Sequence, residues 1–540
     1  MDKEYSLVSI LLISLIIVVA IFGNITVAQD VTDNNTSSNI TNNSSFNQSN
    51  VSAEINSTIN SSQYVNSNWG ILFEDEDTGE IIYQANSNEM YVPGSTAKLF
   101  ITSAALNSFG PDYRFETPVY YRGDIDDSGT LKGDLILVAS GDPTMGGRDT
   151  PDGRINFTNL DHGDANSVEG VTLTAENPLT GLNQLARQVK DSGIKKVDGN
   201  VIIDDRLFET TLAPTGEYMI SPVMINDNMI DLEVIPGEVG GNATVNWRPQ
   251  TSIYNVTSQV TTVASGTTNI TVNYHGSGKI ILKGQIPANS TPVIRTYTVK
   301  DPSNFARSLF IEALQREGVE VTASPKSVNS ISSLNNTTSY NQENQVALLT
   351  SLPFSENIKL ILKVSQNQQA DTLVSLLASR NGDKSFDDGM LLLGTFLDSA
   401  GVNQDAITLK DGRGGSPADR VSPQASNQLL RFMSQQTYFQ SFYDALPIMG
   451  FDGTLYNVVN NSSPLYGKVH AKTGTALTED KLYNRGMILS KSLAGYITTK
   501  SGKTFIFSIY VNNLPIDDEA AVGEVDRDLA AILETIYNNY

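Results

Sequence analysis

The chain lacks cysteine altogether and has very few histidines. None of its 540 residues is a cysteine, so disulfides, thiolate nucleophiles and cysteine-based metal sites are all excluded. The three histidines, His162, His275 and His470, are scattered along the chain, which argues against a zinc site and against a Ser-His-Asp triad. A serine nucleophile in this chain therefore needs a base other than imidazole.

Positive charge is also scarce. Lys and Arg total 36 against 59 for Asp and Glu, and the formal net charge is -23. Most of such a surface repels a phosphate polymer. We therefore expect no nucleic acid among the partners.

One long apolar run lies near the N-terminus. It covers residues 7–22 and is followed by small residues at Thr26-Val27-Ala28, the arrangement of a secretory signal peptide. The run is shorter than the ~20 residues of a typical membrane span, but an uncleaved anchor remains the alternative because Lys3 is the only basic residue before it. We predict a signal peptide or membrane anchor over residues 1–28. The protein is then exported, to the medium or the cell surface, and meets the membrane only through this segment.

Residues 29–68 are dominated by Asn, Ser and Thr. A segment with so little apolar surface cannot offset the entropy lost on folding. We predict a disordered tether here, with order beginning near Trp69.

Beyond the tether, the pattern of apolar residues becomes regular. Residues 70–73 and 80–83 flank a short turn and predict a hairpin, while residues 95–106 predict a largely buried helix. Two more strands are predicted at 492–498 and 504–511. A sheet that takes strands from both ends of the chain and has helices beside it is an α/β layer architecture.

The middle of the chain has a different pattern of apolar and turn-forming residues. Residues 123–295 carry short strand patterns and turns, and we interpret them as inserted accessory domains. The enclosing domain then consists of residues 69–122 and 296–540. Within its second part, the polar stretch 327–344 predicts an exposed loop.

Ser95-Thr96-Ala97-Lys98 places a hydroxyl and an amine on one face of the predicted helix. The amine can take the proton of the hydroxyl only if it is uncharged, and lowering a lysine pKa from about 10.4 to about 7 disfavours the charged form by roughly 4–5 kcal/mol. Burial and a nearby positive charge are both needed for that. The spacing alone is weak evidence, because Ser192 and Lys195 share it.

Two later segments complete a possible site. Lys472-Thr473-Gly474-Thr475 fits a strand whose glycine lets a substrate backbone approach closely. Lys472 can supply the positive charge that lowers the pKa of Lys98, or hold a carboxylate with Thr473. Ser365-Gln366-Asn367 lies between two apolar helical segments, where a loop can present a hydroxyl and an amide to a cleft.

A helix-start Ser-x-x-Lys, an interhelix Ser-x-Asn and a strand-borne Lys-Thr-Gly, in this order, form the signature of penicillin-binding proteins and β-lactamases. Over about residues 69–514 the chain resembles the D-alanyl-D-alanine carboxypeptidase/endopeptidases of the low-molecular-mass class C penicillin-binding proteins. The insertion of roughly 270 residues between Ser95 and Ser365 is a mark of that family. Four segments are also typical of it: Pro93-Gly94-Ser95-Thr96-Ala97-Lys98-Leu99, Ser140-Gly141-Asp142-Pro143-Thr144, Asn226-Asp227-Asn228 and Asp452-Gly453-Thr454-Leu455.

The resemblance implies a transpeptidase-like domain, an antiparallel sheet flanked by helices, with a large strand-rich insertion that forms accessory domains. It implies hydrolysis of D-Ala-D-Ala in cell-wall peptides through an acyl-enzyme on Ser95, with Lys98 as its base and Ser365 as a proton relay. The substrate-binding residues that it implies are Asn367, Lys472, Thr473, Gly474 and Thr475.

It further implies that backbone N–H groups of Ser95 and Thr475 form the oxyanion hole, that β-lactams inhibit the enzyme, and that no metal or organic cofactor is needed.

Two departures from the family pattern bear on substrate choice. The segment that begins at Asp411 places a bulky cation, Arg413, where the family has a serine, and the segment 476–491 is longer, so we expect an extra loop over the cleft. Two alternatives stay open for the function: a β-lactamase or esterase with the same site, and a catalytically silent wall-binding protein. The wall polymer, peptidoglycan or another, also stays open.

Overall fold

The computed structural model describes residues 42–334, 339–518 and 520–540. The predicted signal peptide or anchor over residues 1–28 lies outside these residues. In the part that is described, no helix is long and apolar enough to span a membrane. Residues Asn47–Tyr540 form one unit of the chain. The helices are α1 (Asn42–Ile59), α2 (Lys98–Phe109), α3 (Thr180–Asp191), α4 (Pro302–Arg316), α5 (Phe354–Leu362), α6 (Asn367–Asn381), α7 (Phe386–Ser399), α8 (Pro423–Ser434), α9 (Phe439–Ala445) and α10 (Ala520–Asn539).

The strands belong to several sheets and come from both ends and the middle of the chain. They are β1 (Asn68–Asp75), β2 (Ile81–Ala85), β3 (Glu116–Ile125), β4 (Thr130–Val138), β5 (Lys196–Val197), β6 (Val201–Asp204), β7 (Thr211–Leu212), β8 (Met219–Ile220), β9 (Met229–Ile235), β10 (Thr244–Arg248), β11 (Asn255–Val263), β12 (Asn269–Tyr274), β13 (Lys279–Pro287), β14 (Val293–Thr298), β15 (Glu320–Val321), β16 (Gln345–Thr350), β17 (Ile407–Thr408), β18 (Arg420–Val421), β19 (Val469–Asp480), β20 (Arg485–Thr498) and β21 (Thr504–Ile516).

A five-stranded antiparallel sheet in the order β19-β20-β21-β1-β2 joins the two ends of the chain. Side chains alternate between its faces. Phe505 and Phe507 lie in one apolar cluster with Leu529 of α10, whereas Ile506 lies in another with Phe100 of α2. Helices thus cover both faces, as the α/β prediction requires, and β19 is left at an edge of the sheet.

The middle of the chain builds separate sheets. β15, β5, β4, β3 and β16 form one sheet, with β6 paired to β4, and two three-stranded sheets comprise β10-β9-β14 and β11-β13-β12. Helix α4 belongs here, because Phe305 and Leu309 share an apolar cluster with Leu135 of β4.

The predicted boundaries at 123 and 295 fall inside this part of the fold. β3 begins at Glu116 and β16 ends at Thr350, and both belong to the same sheet. The helical pattern near residue 301 reveals the helix but not the sheet that it covers. The sequence therefore puts the end of the insertion at 295, earlier in the chain than the end of that sheet at Thr350. We keep the division into an inserted and an enclosing part as a proposal and place its limits near Glu116 and Thr350.

The predicted tether is ordered in its second half. Val51 and Ile55 of α1 are fully buried in the cluster that contains Phe507, and the Tyr64 ring packs edge-on against Trp69 at 4.8 Å between centroids. The average composition of this segment does not show that two of its apolar residues, Val51 and Ile55, lie one helical turn apart. Order therefore begins well before Trp69.

We predict that Ile55→Ala lowers the stability of this cluster by about 2–5 kcal/mol, because it removes buried methyl groups and leaves a cavity. Glu54→Ala, on the exposed side of α1, is the matched control and is expected to stay within about 0.5 kcal/mol. Thermal unfolding followed by circular dichroism measures both. Equal midpoints for the two variants would contradict the packing of α1.

Candidate active site

Ser95 and Lys98 lie where a tight turn becomes a helix. Residues Gly94–Ala97 form one turn of 3-10 helix, and Lys98 begins α2, so the predicted helix starts three residues later than expected. Lys98 is fully buried. Its Nζ lies 2.8 Å from Ser95 Oγ and 2.7 Å from Asn367 Oδ1, and it also donates to the carbonyl oxygen of Arg413 at 3.2 Å.

Ser365 lies in the connection between α5 and α6, and Asn367 is the first residue of α6. Ser365 has a φ of 63°, a left-handed conformation that is uncommon for serine and that its surroundings must hold in place. The Gln366 side chain accepts a hydrogen bond from Gln368 N at 2.8 Å and so caps α6. The interhelix loop that the sequence predicts is thus fixed against the helix, with Asn367 facing Lys98.

Lys472 brings the third motif to the same place. It lies on the edge strand β19 and is fully buried. Its Nζ is 2.9 Å from Ser365 Oγ and donates to Thr473 O at 2.9 Å. The three motifs therefore meet in one site.

Two glycines let β19 approach the turn that carries Ser95. A Cβ on Gly474 would lie 2.3 Å from Pro93 O and 3.1 Å from Ser95 N, and a Cβ on Gly94 would lie 3.0 Å from Thr475 N. Gly94 also has a φ of 53°, which suits glycine. The backbone nitrogens of Ser95 and Thr475 both lie at this close approach of strand and turn.

Burial sets the charge state of the two lysines. It is the largest cause that lowers the pKa of Lys98, the Arg413 guanidinium adds to it, and despite nearby carboxylates such as Asp164 the pKa falls to about 7. Burial, reinforced by Lys98, also lowers the pKa of Lys472 well below its ordinary value. An uncharged lysine is therefore available at Ser95 near neutral pH. The sequence offered two roles for Lys472, as the cation acting on Lys98 or as a partner of a carboxylate, and the cation that lowers the pKa of Lys98 is Arg413.

Arg413 is held by its own loop and by the inserted part of the chain. The Asp411 carboxylate accepts from the backbone N–H groups of Arg413, at 3.1 Å, and Gly414, at 2.6 Å. The guanidinium pairs with Glu217 at 2.8 Å and donates to Thr215 Oγ1 at 2.7 Å. The bulky cation noted in the sequence thus turns toward Glu217 while its carbonyl oxygen contacts Lys98.

Asp164 is a residue of the site that sequence reasoning missed. It lies on the short 3-10 turn His162–Asp164 and lines a cavity together with Ser365 and Asn367. Burial and the charge of Asp161 raise its pKa to about 6. No local signal marks it, because it belongs to the inserted part and lies far along the chain from the three motifs.

A buried ionic cluster ties that turn to α6. His162 Nδ1 is 2.6 Å from Asp231 Oδ1, and its Nε2 is 2.7 Å from Asp227 Oδ2. Burial opposes the charged ring, but the carboxylates, Asp231 foremost, outweigh it and raise the pKa of His162 to about 10. Arg148 also pairs with Asp227 at 3.0 Å, and Gln369 of α6 donates to Asp227 Oδ1 at 2.7 Å. Through Asp227 the cluster links the His162 turn to the first turn of α6.

The segment 476–491 is not the overhanging loop that we expected. β19 continues to Asp480 and β20 begins at Arg485, with a bulge between Ala476 and Leu477, so the extra residues lengthen a hairpin. Leu482 at its tip is 81% exposed. The bulge interrupts the alternation of apolar and polar residues, so the sequence pattern does not predict this strand pairing.

The look-alike motifs lie elsewhere. Ser192 caps the C-terminus of α3 and donates to Val189 O, and Lys500-Ser501-Gly502 occupies the turn between β20 and β21. His470 is a strand residue whose ring stacks on Tyr443 at 4.0 Å between centroids.

Comparisons with known proteins agree with this geometry. The D-Ala-D-Ala carboxypeptidase 3 (S13) family model matches residues 51–535. A D-alanyl-D-alanine carboxypeptidase of Actinomadura sp. (strain R39) is 27% identical over 469 residues, 82% of this chain and 77% of that protein. The penicillin-sensitive carboxypeptidase A of Dictyostelium discoideum is 24% identical over 506 residues, 89% of this chain and 90% of that protein.

Among solved structures, penicillin binding protein 4 from Haemophilus influenzae matches with a TM-score of 0.67 at 23% identity, covering 89% of this chain and 98% of that one. The likeness confirms the predicted fold class.

We predict that Lys98 titrates near pH 7 and that Arg413→Met moves this midpoint to higher pH, because a nearby positive charge disfavours the ammonium form. NMR of the protein carrying isotope-labelled lysine follows the titration, and the signal that Lys98→Arg removes identifies the residue. Arg413→Lys keeps the charge and is the control. A Lys98 midpoint that is the same with and without the guanidinium would contradict the role of Arg413.

Proposed function

This chain belongs to the D-Ala-D-Ala carboxypeptidase 3 (S13) family, and we propose that it hydrolyses D-Ala-D-Ala bonds of cell-wall peptides with Ser95 as its nucleophile. The observation that carries the assignment is the 2.8 Å contact between Ser95 Oγ and the buried Nζ of Lys98. The pKa of that lysine, about 7, lets it act as a base under neutral conditions.

In the first step, uncharged Lys98 takes the proton of Ser95 as Oγ attacks the carbonyl carbon between the two D-alanines. Negative charge develops on the carbonyl oxygen, and we propose that backbone N–H groups of Ser95 and Thr475 receive it. A single donor of this kind is worth about a hundredfold to a thousandfold in rate in comparable enzymes.

The tetrahedral intermediate collapses when the bond to the terminal D-alanine breaks. The leaving amine needs a proton, and we propose that the proton that Lys98 took from Ser95 reaches it through Ser365, whose Oγ is 2.9 Å from Lys472 Nζ. Lys98 is then uncharged again for the second step. Asn367, which contacts Lys98, keeps the base oriented and presents its amide to the substrate. An acyl-enzyme on Ser95 remains.

In the second step, a water molecule gives a proton to the base and attacks the acyl carbon. The ester to Ser95 breaks, the proton returns to Oγ, and the shortened peptide leaves. These steps use side chains and backbone groups of the chain, and we propose them with no metal or organic cofactor.

β-Lactams are the inhibitors that we propose for this site. Their strained amide takes the place of the D-Ala-D-Ala amide, and after ring opening the leaving amine stays attached to the acyl group. Penicillin binding protein 4 from Haemophilus influenzae has been solved in complex with a β-lactam.

We also propose that the protein is exported and acts on the wall outside the cell. The support is the apolar run at 7–22 followed by small residues, together with a substrate that lies beyond the membrane. Cleaved signal peptide and retained anchor are both compatible with this placement.

We predict that a fluorescent penicillin labels the protein and that Ser95→Ala abolishes the labelling. Ser192→Ala is the matched control, since Ser192 and Lys195 share the spacing but Ser192 only caps a helix, and it is expected to label fully. Gel fluorescence measures the adduct. Persistent labelling of Ser95→Ala would refute the assigned nucleophile, and rapid release of the penicilloyl product by the wild type would favour a β-lactamase.

The labelling rate is expected to depend on pH. Because the pKa of Lys98 is lowered to about 7, the uncharged base is scarce below that pH, so the rate constant should rise about tenfold per pH unit up to about 7 and level off above it. Labelling reactions quenched at timed intervals at a series of pH values give the rate constant as a function of pH. A rate that stays constant from about pH 5 to pH 7 would contradict Lys98 as the base.

A further inference from the structure

A substrate that ends in D-Ala-D-Ala carries a free carboxylate, which needs a positive partner. The Nζ of Lys472 is fully buried and already bonded to Ser365 Oγ and Thr473 O. Burial lowers its pKa well below the ordinary value, so its ammonium form is disfavoured. Because Lys472 Nζ already has these two oxygen partners, a further cation beside it bears on how the carboxylate is bound.

Lys491 lies beside the two threonines of the motif. It stands on β20 directly opposite Thr475 of β19 in the strand register, and its Nζ donates to Thr475 Oγ1 at 3.1 Å. The Lys491 side chain is 8% exposed, whereas Thr475 is exposed at the edge of the sheet. An anion bound by the Thr475 hydroxyl thus lies within a few ångströms of the Lys491 ammonium.

The C-terminal helix holds that ammonium in place. Asp526 of α10 pairs with Lys491 Nζ at 2.9 Å, and Leu493, two residues along the strand on the same face, packs in the cluster that contains Leu529 of α10. A lysine that is fixed in this way loses little freedom when it binds a ligand. The ion pair also keeps the site charge-balanced while no substrate is bound.

We propose that Lys491 is a specificity-determining residue that, with Thr475, binds the terminal carboxylate of the substrate. The proposal rests on the proposed function and names a charged group that none of the three motifs contains. It assigns to Lys491 the electrostatic part of the role that the sequence suggested for Lys472, and leaves Lys472 to contact Ser365.

The test compares two synthetic peptides, one ending in D-Ala-D-Ala with a free carboxylate and the other in its C-terminal amide. Lys491→Gln keeps hydrogen-bonding groups near Thr475 and Asp526 but removes the charge, Lys491→Arg keeps the charge, and Lys481→Met alters an exposed lysine of the same hairpin. Release of the terminal residue gives kcat and KM for each peptide, and circular dichroism verifies folding.

We expect Lys491→Gln to lower kcat/KM for the carboxylate peptide by about 10- to 100-fold, mainly through KM, the effect of losing one hydrogen bond to a charged group. The value for the amide should change by less than about twofold. Lys491→Arg should restore most of the loss, and Lys481→Met should behave as the wild type.

An equal loss for both peptides would show that Lys491 only supports the fold, and no loss for either would show that it does not meet the carboxylate. Either result overturns the proposal while the active wild type leaves the proposed function intact. A folded wild type that cleaves neither peptide would instead overturn the proposed function and, with it, this inference.

Discussion

The burial of the Lys98 ammonium is the constraint on which the rest of the site depends. An amine with no exposed surface is expensive to charge, and lowering its pKa from about 10.4 to about 7 corresponds to about 4–5 kcal/mol. The fold compensates the buried amine for its lost contacts with water by giving Nζ three oxygen partners, from Ser95, Asn367 and the backbone of Arg413. Each partner comes from a different element, so the base exists only when the turn, α6 and the loop at Asp411 are all in place.

The inserted part of the chain contributes charged residues to the surroundings of Lys98. It supplies Glu217, which holds the Arg413 guanidinium, and Asp164, whose charge interacts with those of the two lysines. Positive Arg413 lowers the pKa of Lys98 and negative Asp164 raises it, so the two residues have opposite effects on the charge state of the base. The cluster at His162 and Asp227 couples the insertion to α6 through Gln369. We therefore regard the insertion as part of the electrostatics of the site.

The three motifs could be found from sequence because each has a local cause. Ser95 and Lys98 share a helix face, Ser365 lies between two apolar helices, and Lys472 follows a strand pattern. Asp164, the role of Arg413 and Lys491 could not be found in this way, because each acts across a tertiary contact whose partner is more than ten residues away in the chain. The helix α1 and the limits of the insertion were misjudged for a related reason: average composition and local periodicity do not say which core a segment joins.

We propose that Ser95 and Lys98 carry out the chemistry, that β19 with its neighbour β20 binds the substrate, and that Arg413 and Asp164 control the charge state of the base. The central claim is that Ser95 cleaves D-Ala-D-Ala. The most direct test quantifies the terminal alanine, of either configuration, released from a synthetic peptide that ends in D-Ala-D-Ala and from the same peptide ending in L-Ala, by the wild type and Ser95→Ala. We expect the wild type to release one alanine per D-Ala-D-Ala peptide and none from the L-Ala peptide, and Ser95→Ala to release none from either. Release that persists in Ser95→Ala, or that ignores the configuration of the terminal residue, would contradict the account.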